Sequence, residues 1–291
     1  MAFVLSPLRY PGGKSKLTDF VYNTIELNNI KNPIYCEPFC GGAGVAINLL
    51  LQNKVEKIIL NDYDIAIYSL WKAVLDDTKK LGQKIISTKI TIQEREKQKQ
   101  IYKELSDKKE CGLDLAFATL FLNRTSVSGI IKGGAIGGKE QKGQYKVDAR
   151  FNKEKILEKI NHISTFRSKI ELFNLDCNTL INTYLKNHTD KNNLFIFFDP
   201  PYYKQGKNLY TNFFTHQDHE KLGTAIKSMD DFLWILTYDN TPEIYSIYKN
   251  YNPQKYKLQY SAKNKIKETE LFFNSPKTKV ESFSNVDFEA L

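Results

Sequence analysis

The sequence predicts an α/β fold: a mostly parallel sheet with helices on both faces, plus a mostly helical insertion. Short apolar runs alternate with segments of helical periodicity, as they do in βαβ units. Leu194–Phe198 is apolar without a break, which is typical of a strand buried on both faces of a parallel sheet. A glycine-rich segment separates another strand from its helix, an arrangement that brings the backbone close to a ligand.

The composition limits the functions that the chain can have. Its 291 residues are 41% hydrophobic and 13% aromatic, enough for a substantial core in two domains or in one domain with a large insertion. The net charge of +9 favours a polyanionic partner such as nucleic acid, although charge alone does not identify one.

Cysteines, histidines and apolar segments argue against a metal site and a membrane protein. The four cysteines show neither Cys-x-x-Cys spacing nor nearby histidines, so we expect free thiols and no metal. His216 and His219 stand at a predicted helix start without a third ligand, which favours a helix cap and a surface residue. No apolar run reaches the ~20 residues of a membrane span and nothing resembles a signal peptide, so we expect a cytoplasmic protein.

Residues 9–14, RYPGGK, form the first motif and precede a helical pattern over residues 15–26. The motif lacks the preceding strand and the four-residue spacer between glycines that a nucleoside-triphosphate loop needs. Two interpretations stay open. The motif is either a surface turn with a solvated Lys14, or a glycine turn that brings Tyr10 and Lys14 to a cofactor.

The next elements predict a site for a nucleoside-type cofactor. A strand over residues 33–39 ends in EPFCGGAG (37–44), a helix follows, and a second strand over residues 57–60 leads to Asp62. Asp62 lies 21 positions after Gly41, close to the ~20-residue offset at which dinucleotide folds place their ribose-binding acid. A carboxylate at this place can accept hydrogen bonds from both ribose hydroxyls.

An insertion without strand signals then extends over residues 64–122, and its charge-rich part, residues 79–109, reads as solvated helix faces. Six of the fifteen glycines fall between Gly129 and Gly143, interleaved with lysines. This composition fits either a flexible surface loop or a basic hairpin that reaches phosphates and a groove, and we favour the hairpin.

The alternation of helix and strand returns after the insertion. Helices are predicted over residues 152–164, 215–227 and 241–251. Strands are predicted over residues 169–174 and 232–238, and residues 255–260 are expected to pair with residues 269–273 as a hairpin.

The apolar strand at residues 194–198 runs directly into Asp199, Pro200, Pro201 and Tyr202. Prolines cannot continue a central strand, so the chain must leave the sheet here and place an acid and a tyrosine at the carboxyl edge, where open α/β sheets bind ligands. A strand capped by an ordinary proline turn is the alternative. The four residues resemble the Asp-Pro-Pro-Tyr motif of amino-methyltransferases, which methylate an exocyclic amine of a base with S-adenosylmethionine.

In chain order, the motifs resemble those of DNA adenine methylases of the Dam family. The matching blocks are RYPGGK (9–14), EPFCGG (37–42), ND (61–62), FLNRT (121–125), DPPY (199–202) and ELFFN (270–274). The resemblance covers nearly the whole chain. It implies a Rossmann-like S-adenosylmethionine methyltransferase sheet from residues 1–75 and 165–291, and a target-recognition insertion, residues 76–164, with a basic β-hairpin.

The resemblance also implies which residues bind S-adenosylmethionine. Contacts are expected from Tyr10, Lys14, Asp62 and Asp199, from Phe39 and Gly41 in the pocket wall, and from Asp176 at the cofactor's adenine. This chain has Ala43 where the family often has glycine, so the backbone N–H groups that contact the cofactor are not fixed by the motif. Residues 126–150 do not follow the hairpin of methylases that read Gly-Ala-Thr-Cys, so no target sequence is implied.

The expected reaction is methyl transfer to N6 of an adenine in double-stranded DNA. Asp199 can accept a hydrogen bond from the amine, the carbonyl of Pro200 can accept the other amine hydrogen, and Tyr202 can stack on the base. Because a paired base cannot reach this pocket, the adenine must be flipped out, with Phe213 or Phe214 as a second wall. DNA contacts are expected from Arg9, Asn123, Arg124, Lys132, Lys139 and Lys142.

Three alternatives remain at this stage. Methylation of cytosine N4 is disfavoured because serine more often begins the turn in cytosine enzymes, and methylation of RNA stays open. A catalytically silent DNA-binding regulator is disfavoured by the intact Asp62 and Asp199. We expect a monomer or weak dimer that acts with a cognate restriction endonuclease, as an orphan, or as a phage methylase.

Overall fold

A computed structural model of the chain describes residues 5–9, 14–188, 191–204, 214–259, 267–284 and 286–289. Within these residues, eight strands form one sheet: β1 (Ile34–Glu37), β2 (Lys57–Asn61), β3 (Ile170–Phe173), β4 (Leu194–Phe198), β5 (Leu233–Asp239), β6 (Gln254–Gln259), β7 (Lys267–Asn274) and β8 (Phe288–Glu289). The predicted α/β class is confirmed.

Helices connect the strands. They are α1 (Thr18–Leu27), α2 (Gly44–Leu51), α3 (Ile65–Asp76), α4 (Thr78–Ser87), α5 (Ile92–Asp107), α6 (Leu113–Thr125), α7 (Lys153–Ser164), α8 (Cys177–Thr183), α9 (His216–Lys227) and α10 (Pro242–Tyr248). Within the described ranges, no helix combines the length and the apolar character needed to cross a bilayer.

The strand order is β3-β2-β1-β4-β5-β7-β6-β8. Strands β1 to β5 pair in parallel, whereas β7 is antiparallel to both β5 and β6. The chain proceeds outwards from β1 to β3, and then restarts on the other side of β1 with β4. The carboxyl ends of β1 and β4 therefore flank the point where the strand order reverses, which is where open α/β sheets bind ligands.

Strand β4 shows the predicted burial on both faces of the sheet. Phe195 and Phe197 belong to one apolar cluster, and Leu194, Ile196 and Phe198 belong to the other. All five side chains are buried. The strand that ends at Asp199 is therefore fixed by packing on both sides.

The inserted helices share a core with the sheet. Phe117 and Phe121 of α6, Phe151, and Ile160 of α7 lie in the same apolar cluster as Phe195. Helix α6 also packs against α3 and α5. The division into residues 1–75 with 165–291 and residues 76–164 stays a prediction about function, because these two parts are not separated by an independent core.

The basic β-hairpin expected in the insertion is not formed, and this part of the prediction is wrong. Among the described residues 126–151, an isolated bridge joins Ser126 to Ala135, and turns and bends make up most of the rest. The side chain of Gln141 explains the difference: its amide donates to the carbonyls of Ile136 and Gly138 and accepts from the N–H of Val147. These local bonds replace a strand ladder. We call residues 130–151 the basic loop.

Candidate active site

Asp199 to Tyr202, here called the catalytic turn, follows β4 at the reversal point of the sheet. Thr237 on the neighbouring β5 donates a hydrogen bond from Oγ1 to Oδ1 of Asp199 at 2.7 Å. Lys14 Nζ lies 3.8 Å from the same oxygen, and the Asp199 side chain is 25% exposed. Burial raises the pKa of Asp199 to about 6, against the opposing effect of Lys14.

A buried cluster of charges lies behind the turn. Lys14 Nζ is 2.9 Å from both carboxylate oxygens of Glu270 and also donates to the hydroxyl of Tyr202. The hydroxyl of Tyr256 donates to Glu270 Oε2. The side chains of Lys14 and Glu270 are only 4% and 2% exposed. The interpretation of residues 9–14 as a turn with a solvated lysine is therefore wrong.

The backbone that follows the turn is held by Asp239, the last residue of β5. Its Oδ1 accepts from the N–H of Tyr203 at 2.9 Å, and its Oδ2 accepts from the N–H of Lys204 at 2.8 Å. The ring of Tyr202 is 8% exposed and packs near Tyr238, with ring centroids 6.5 Å apart. Adjacent strand β5 thus supports both the acid and the backbone of the turn.

Asp62 ties together the loops that follow β1 and β2. Its Oδ2 accepts from the N–H of Gly41 at 2.8 Å, and its Oδ1 accepts from the N–H of Asp64 at 2.9 Å. Burial raises the pKa of Asp62 to about 7. Each carboxylate oxygen keeps a further lone pair, which can accept a hydrogen bond from a ribose hydroxyl.

The loop between β1 and α2 depends on left-handed backbone at two positions. Gly41 has φ +45° and Ala43 has φ +46°. The indole of Trp71 donates to the carbonyl of Gly41 at 2.9 Å and helps to fix this conformation. Ala43 therefore adopts the backbone that the family's glycine would favour, at the cost of some strain.

The structure describes two of the remaining predicted cofactor residues, Phe39 and Asp176. Phe39 is half-buried beside the loop and meets Phe214 edge to face, with centroids 6.2 Å apart. Asp176 follows β3, is exposed, and caps α8 by accepting from the N–H of Thr179 at 3.0 Å. Tyr10 and Phe213 lie outside the described residues, so their predicted roles stay predictions.

Asn123 is a structural residue, and the prediction that it contacts DNA is wrong. Its side chain is 1% exposed. Its amide accepts from the N–H of Arg9 and donates to the carbonyls of Arg9 and Gly129, at 2.8 to 2.9 Å. A Cβ on Gly129 would come within 2.0 Å of the carbonyl oxygen of Arg9, so glycine is required there. Asn123 thereby joins the N-terminal segment to the end of α6.

Arg9, Arg124 and Arg150 form what we call the arginine cluster. Burial and the charges of Arg9 and Arg150 lower the pKa of Arg124 to about 10. The Nε of Arg124 is buried without a hydrogen-bond partner. Within the described part of the chain, no carboxylate forms an ion pair with any of these three guanidinium groups. Lys159 also experiences the positive charge of this cluster, because burial and the charge of Arg124 lower its pKa.

The lysines of the basic loop are placed as expected for a surface that meets a polyanion. Lys132, Lys139 and Lys142 are all exposed. Lys142 pairs with the exposed Glu140 at 2.5 Å. Such an exposed pair contributes little stability, so Lys142 can exchange Glu140 for a phosphate.

Three of the residues around the catalytic turn were not singled out from the sequence. Thr237 and Asp239 lie in an apolar strand without a recognised motif, and Glu270 was noted only as part of the block ELFFN. The charge of Glu270 directly before the apolar run at residues 271–273 is a signal that could have identified it, because a charge beside a buried apolar run needs a partner.

The sheet that reverses between β1 and β4, the Asp-Pro-Pro-Tyr turn and the carboxylate after β2 define a methyltransferase of the class that uses S-adenosylmethionine. The chain belongs to the D12 class N6 adenine-specific DNA methyltransferase family, whose model matches residues 10–262. It is therefore an adenine-specific DNA methyltransferase, and DNA is its substrate.

A comparison with one curated relative agrees with this family. The chain is 25% identical over 244 residues to the type II methyltransferase M.MjaIII of Methanocaldococcus jannaschii, covering 77% of this chain and 79% of the relative. Two solved structures of the rRNA methyltransferase aviRa from Streptomyces viridochromogenes are 12% and 11% identical, with TM-scores of 0.39 and 0.38. Each comparison covers 92% of this chain and 88% of the other.

Proposed function

We propose that the chain methylates N6 of an adenine that is flipped out of double-stranded DNA, with Asp199 as the acceptor of an amine hydrogen. One observation carries this proposal: the Asp199 carboxylate is held at the reversal point of the sheet by Thr237 and Lys14, yet stays 25% exposed. A fixed and partly open carboxylate at this edge is suited to orient an amine.

The residues of the catalytic turn act by positioning and by electrostatics. S-adenosylmethionine, when bound, supplies an electrophilic methyl group. Asp199 accepts one hydrogen of the amine, directs the nitrogen lone pair towards that methyl group, and stabilises the positive charge that develops on nitrogen. The carbonyl of Pro200 accepts the second hydrogen. Because the pKa of Asp199 is about 6, the carboxylate is ionised at neutral pH.

The proposed cofactor site comprises Asp62, Gly41, Phe39 and Asp176. Asp62 binds the ribose, the backbone at Gly41 passes close to the cofactor, and Phe39 forms a wall with Phe214. The contacts at Tyr10 and Lys14 also remain proposals. The structure supports a less direct role for Lys14, because its Nζ already contacts Glu270 and Tyr202.

The proposed DNA surface consists of the arginine cluster and the lysines of the basic loop. Three guanidinium groups without a carboxylate partner in the described residues repel one another, and a phosphate relieves that repulsion. The expected contacts are Arg9, Arg124, Arg150, Lys132, Lys139 and Lys142. The flipped adenine stacks on Tyr202, which requires one face of this 8% exposed ring to become accessible.

We also propose that the methylation is site-specific and that a cognate restriction endonuclease exists. The support is the similarity to a type II methyltransferase. The recognised sequence is set by the basic loop and the end of α6. Long-read sequencing of DNA from cells that express the chain would report the methylated base and its sequence context; methylation scattered over unrelated sequences would contradict site specificity.

The central test compares Asp199→Ala with the wild-type chain. We expect the variant to bind duplex DNA and to lose methyl transfer from radiolabelled S-adenosylmethionine by more than about a thousandfold. Asp231→Ala is the matched control, because Asp231 is an exposed acid that precedes β5 at the opposite sheet edge. Near-normal turnover by Asp199→Ala would refute the proposed role of the turn.

A further inference from the structure

Two side chains of β5 hold the catalytic turn from the neighbouring strand. Thr237 and Asp239 are two positions apart, so they share one face of β5. Tyr238, between them, points the other way and meets the imidazole of the buried His219 at 2.8 Å. One face of this strand end thus binds the turn through hydrogen bonds, and the other face packs against His219 and the ring of Tyr202.

Resting on the proposed function, we propose that Thr237 and Asp239 are positioning residues for methyl transfer. Thr237 holds Oδ1 of Asp199 so that Oδ2 is presented to the target amine. Asp239 fixes the backbone that immediately follows Tyr202. Neither residue needs to touch the substrate.

The contacts of Asp199 distinguish its two oxygens. Oδ1 receives the hydroxyl of Thr237 at 2.7 Å and is the oxygen 3.8 Å from Lys14 Nζ. Among the described residues, no hydrogen bond reaches Oδ2. A carboxylate rotates easily about its last torsion, because the energy profile of that torsion is broad. The hydrogen bond from Thr237 fixes this torsion. Oδ1 is therefore already hydrogen-bonded, and Oδ2 keeps a fixed direction.

Asp239 attaches the end of the turn to the sheet, which the two prolines of the turn cannot do. Pro200 and Pro201 carry no N–H group, so they cannot bind to the sheet as donors. The N–H groups of Tyr203 and Lys204 both reach the Asp239 carboxylate, one to each oxygen. This two-point attachment joins the end of the turn to the rigid strand β5, which fixes the geometry that the reaction needs.

The first experiment compares Thr237→Val with Thr237→Ser. Valine has the shape of threonine without its hydroxyl, whereas serine keeps the hydroxyl. With saturating S-adenosylmethionine and duplex DNA, we expect the single-turnover rate of Thr237→Val to fall about tenfold to a hundredfold. We expect the affinities for S-adenosylmethionine and for duplex DNA to stay unchanged. We expect the acid limb of the pH–rate profile to move to higher pH. Thr237→Ser should keep a rate and a pH profile close to those of the wild type.

Thr24→Val is the matched control. Thr24 is as fully buried as Thr237, and its hydroxyl bonds to the carbonyl of Phe20 within α1, away from the turn. This variant should methylate at the wild-type rate. Asp239→Asn tests the second residue: it should slow single turnover without moving the acid limb, because Asp239 does not contact Asp199.

The outcomes separate this proposal from the proposed function. If Asp199→Ala is inactive while Thr237→Val keeps the wild-type rate and pH profile, the role of Thr237 is refuted. A Thr237→Ser variant as slow as Thr237→Val would also refute it, since the hydroxyl would then not be the cause. Wild-type turnover by Asp239→Asn would refute the role of Asp239. If Asp199→Ala itself stays active, the proposed function fails first.

Discussion

Replacing Lys14 with methionine should destabilise the fold and shift the pH dependence of methylation together. The Lys14 side chain is 4% exposed and lies 2.9 Å from the carboxylate of Glu270, itself 2% exposed. Removal of one partner from a buried ion pair leaves the other charge uncompensated, which costs ~3–5 kcal/mol of unfolding free energy. We expect Lys14→Met to lose stability in this range, as measured by urea unfolding.

The buried pair of Lys14 and Glu270 also predicts that replacing either residue shifts the acid limb of the methylation rate, in opposite directions for the two. Lys14 lowers the pKa of Asp199, whereas Glu270 raises it. The acid limb of the methylation rate, expected near pH 6 in the wild type, should therefore move to higher pH in Lys14→Met and to lower pH in Glu270→Gln. A residue that only maintained the fold would not produce shifts of opposite sign.

A double-mutant cycle completes the test. In Lys14→Met/Glu270→Gln both charges are absent, so the double variant should be more stable than Lys14→Met alone, by ~1–3 kcal/mol. Two results would refute the reasoning: a loss below ~1 kcal/mol in Lys14→Met, or acid limbs that move in the same direction in both single variants.

Three further predictions concern the other sites. Asp62→Ala should weaken S-adenosylmethionine binding at least tenfold by calorimetry while duplex affinity is retained; equal cofactor affinity would remove Asp62 from the site. Arg124→Gln should weaken DNA binding and reduce the salt slope by about 1, whereas Lys57→Gln, at the start of β2, should leave both unchanged. Burial raises the pKa of Glu37 to about 8, so the fold favours its protonated form and unfolding free energy should decline as pH rises from about 4.5 to 8. Glu37→Gln should remove the contribution of Glu37 to that decline in thermal melts, while the raised pKa values of Asp62 and Asp199 account for the remainder; an unchanged pH dependence would contradict the assignment.

The central strands could be predicted from the sequence because burial on both faces leaves an apolar run. Strand β4 has the predicted bounds, and β5 is displaced from its predicted bounds by one residue. Asp199 and Asp62 could be placed for a related reason: strand ends in a parallel sheet converge on one edge. Both acids could be recognised from local motifs, and the topology of the sheet places them at that edge.

The partners of Asp199 could not be predicted because they depend on tertiary contacts. Glu270 meets Lys14 across 256 positions of sequence, and no local pattern specifies that pairing. The prediction that the basic loop forms a hairpin was wrong because of local contacts rather than tertiary ones. Glycine and lysine composition indicates an exposed basic segment, but the bonds made by the Gln141 side chain decide its conformation.

The pairing of Lys14 with Glu270 also bears on the order in which the chain folds. Lys14 leaves the ribosome 256 residues before Glu270. Closing so long a loop is entropically unfavourable until β5 and β7 are paired, so the contact belongs to the end of folding. A nascent chain that stops before residue 270 lacks the buried counter-charge of Lys14. We therefore expect a chain truncated before residue 270 to lose methylation together with this buried ion pair.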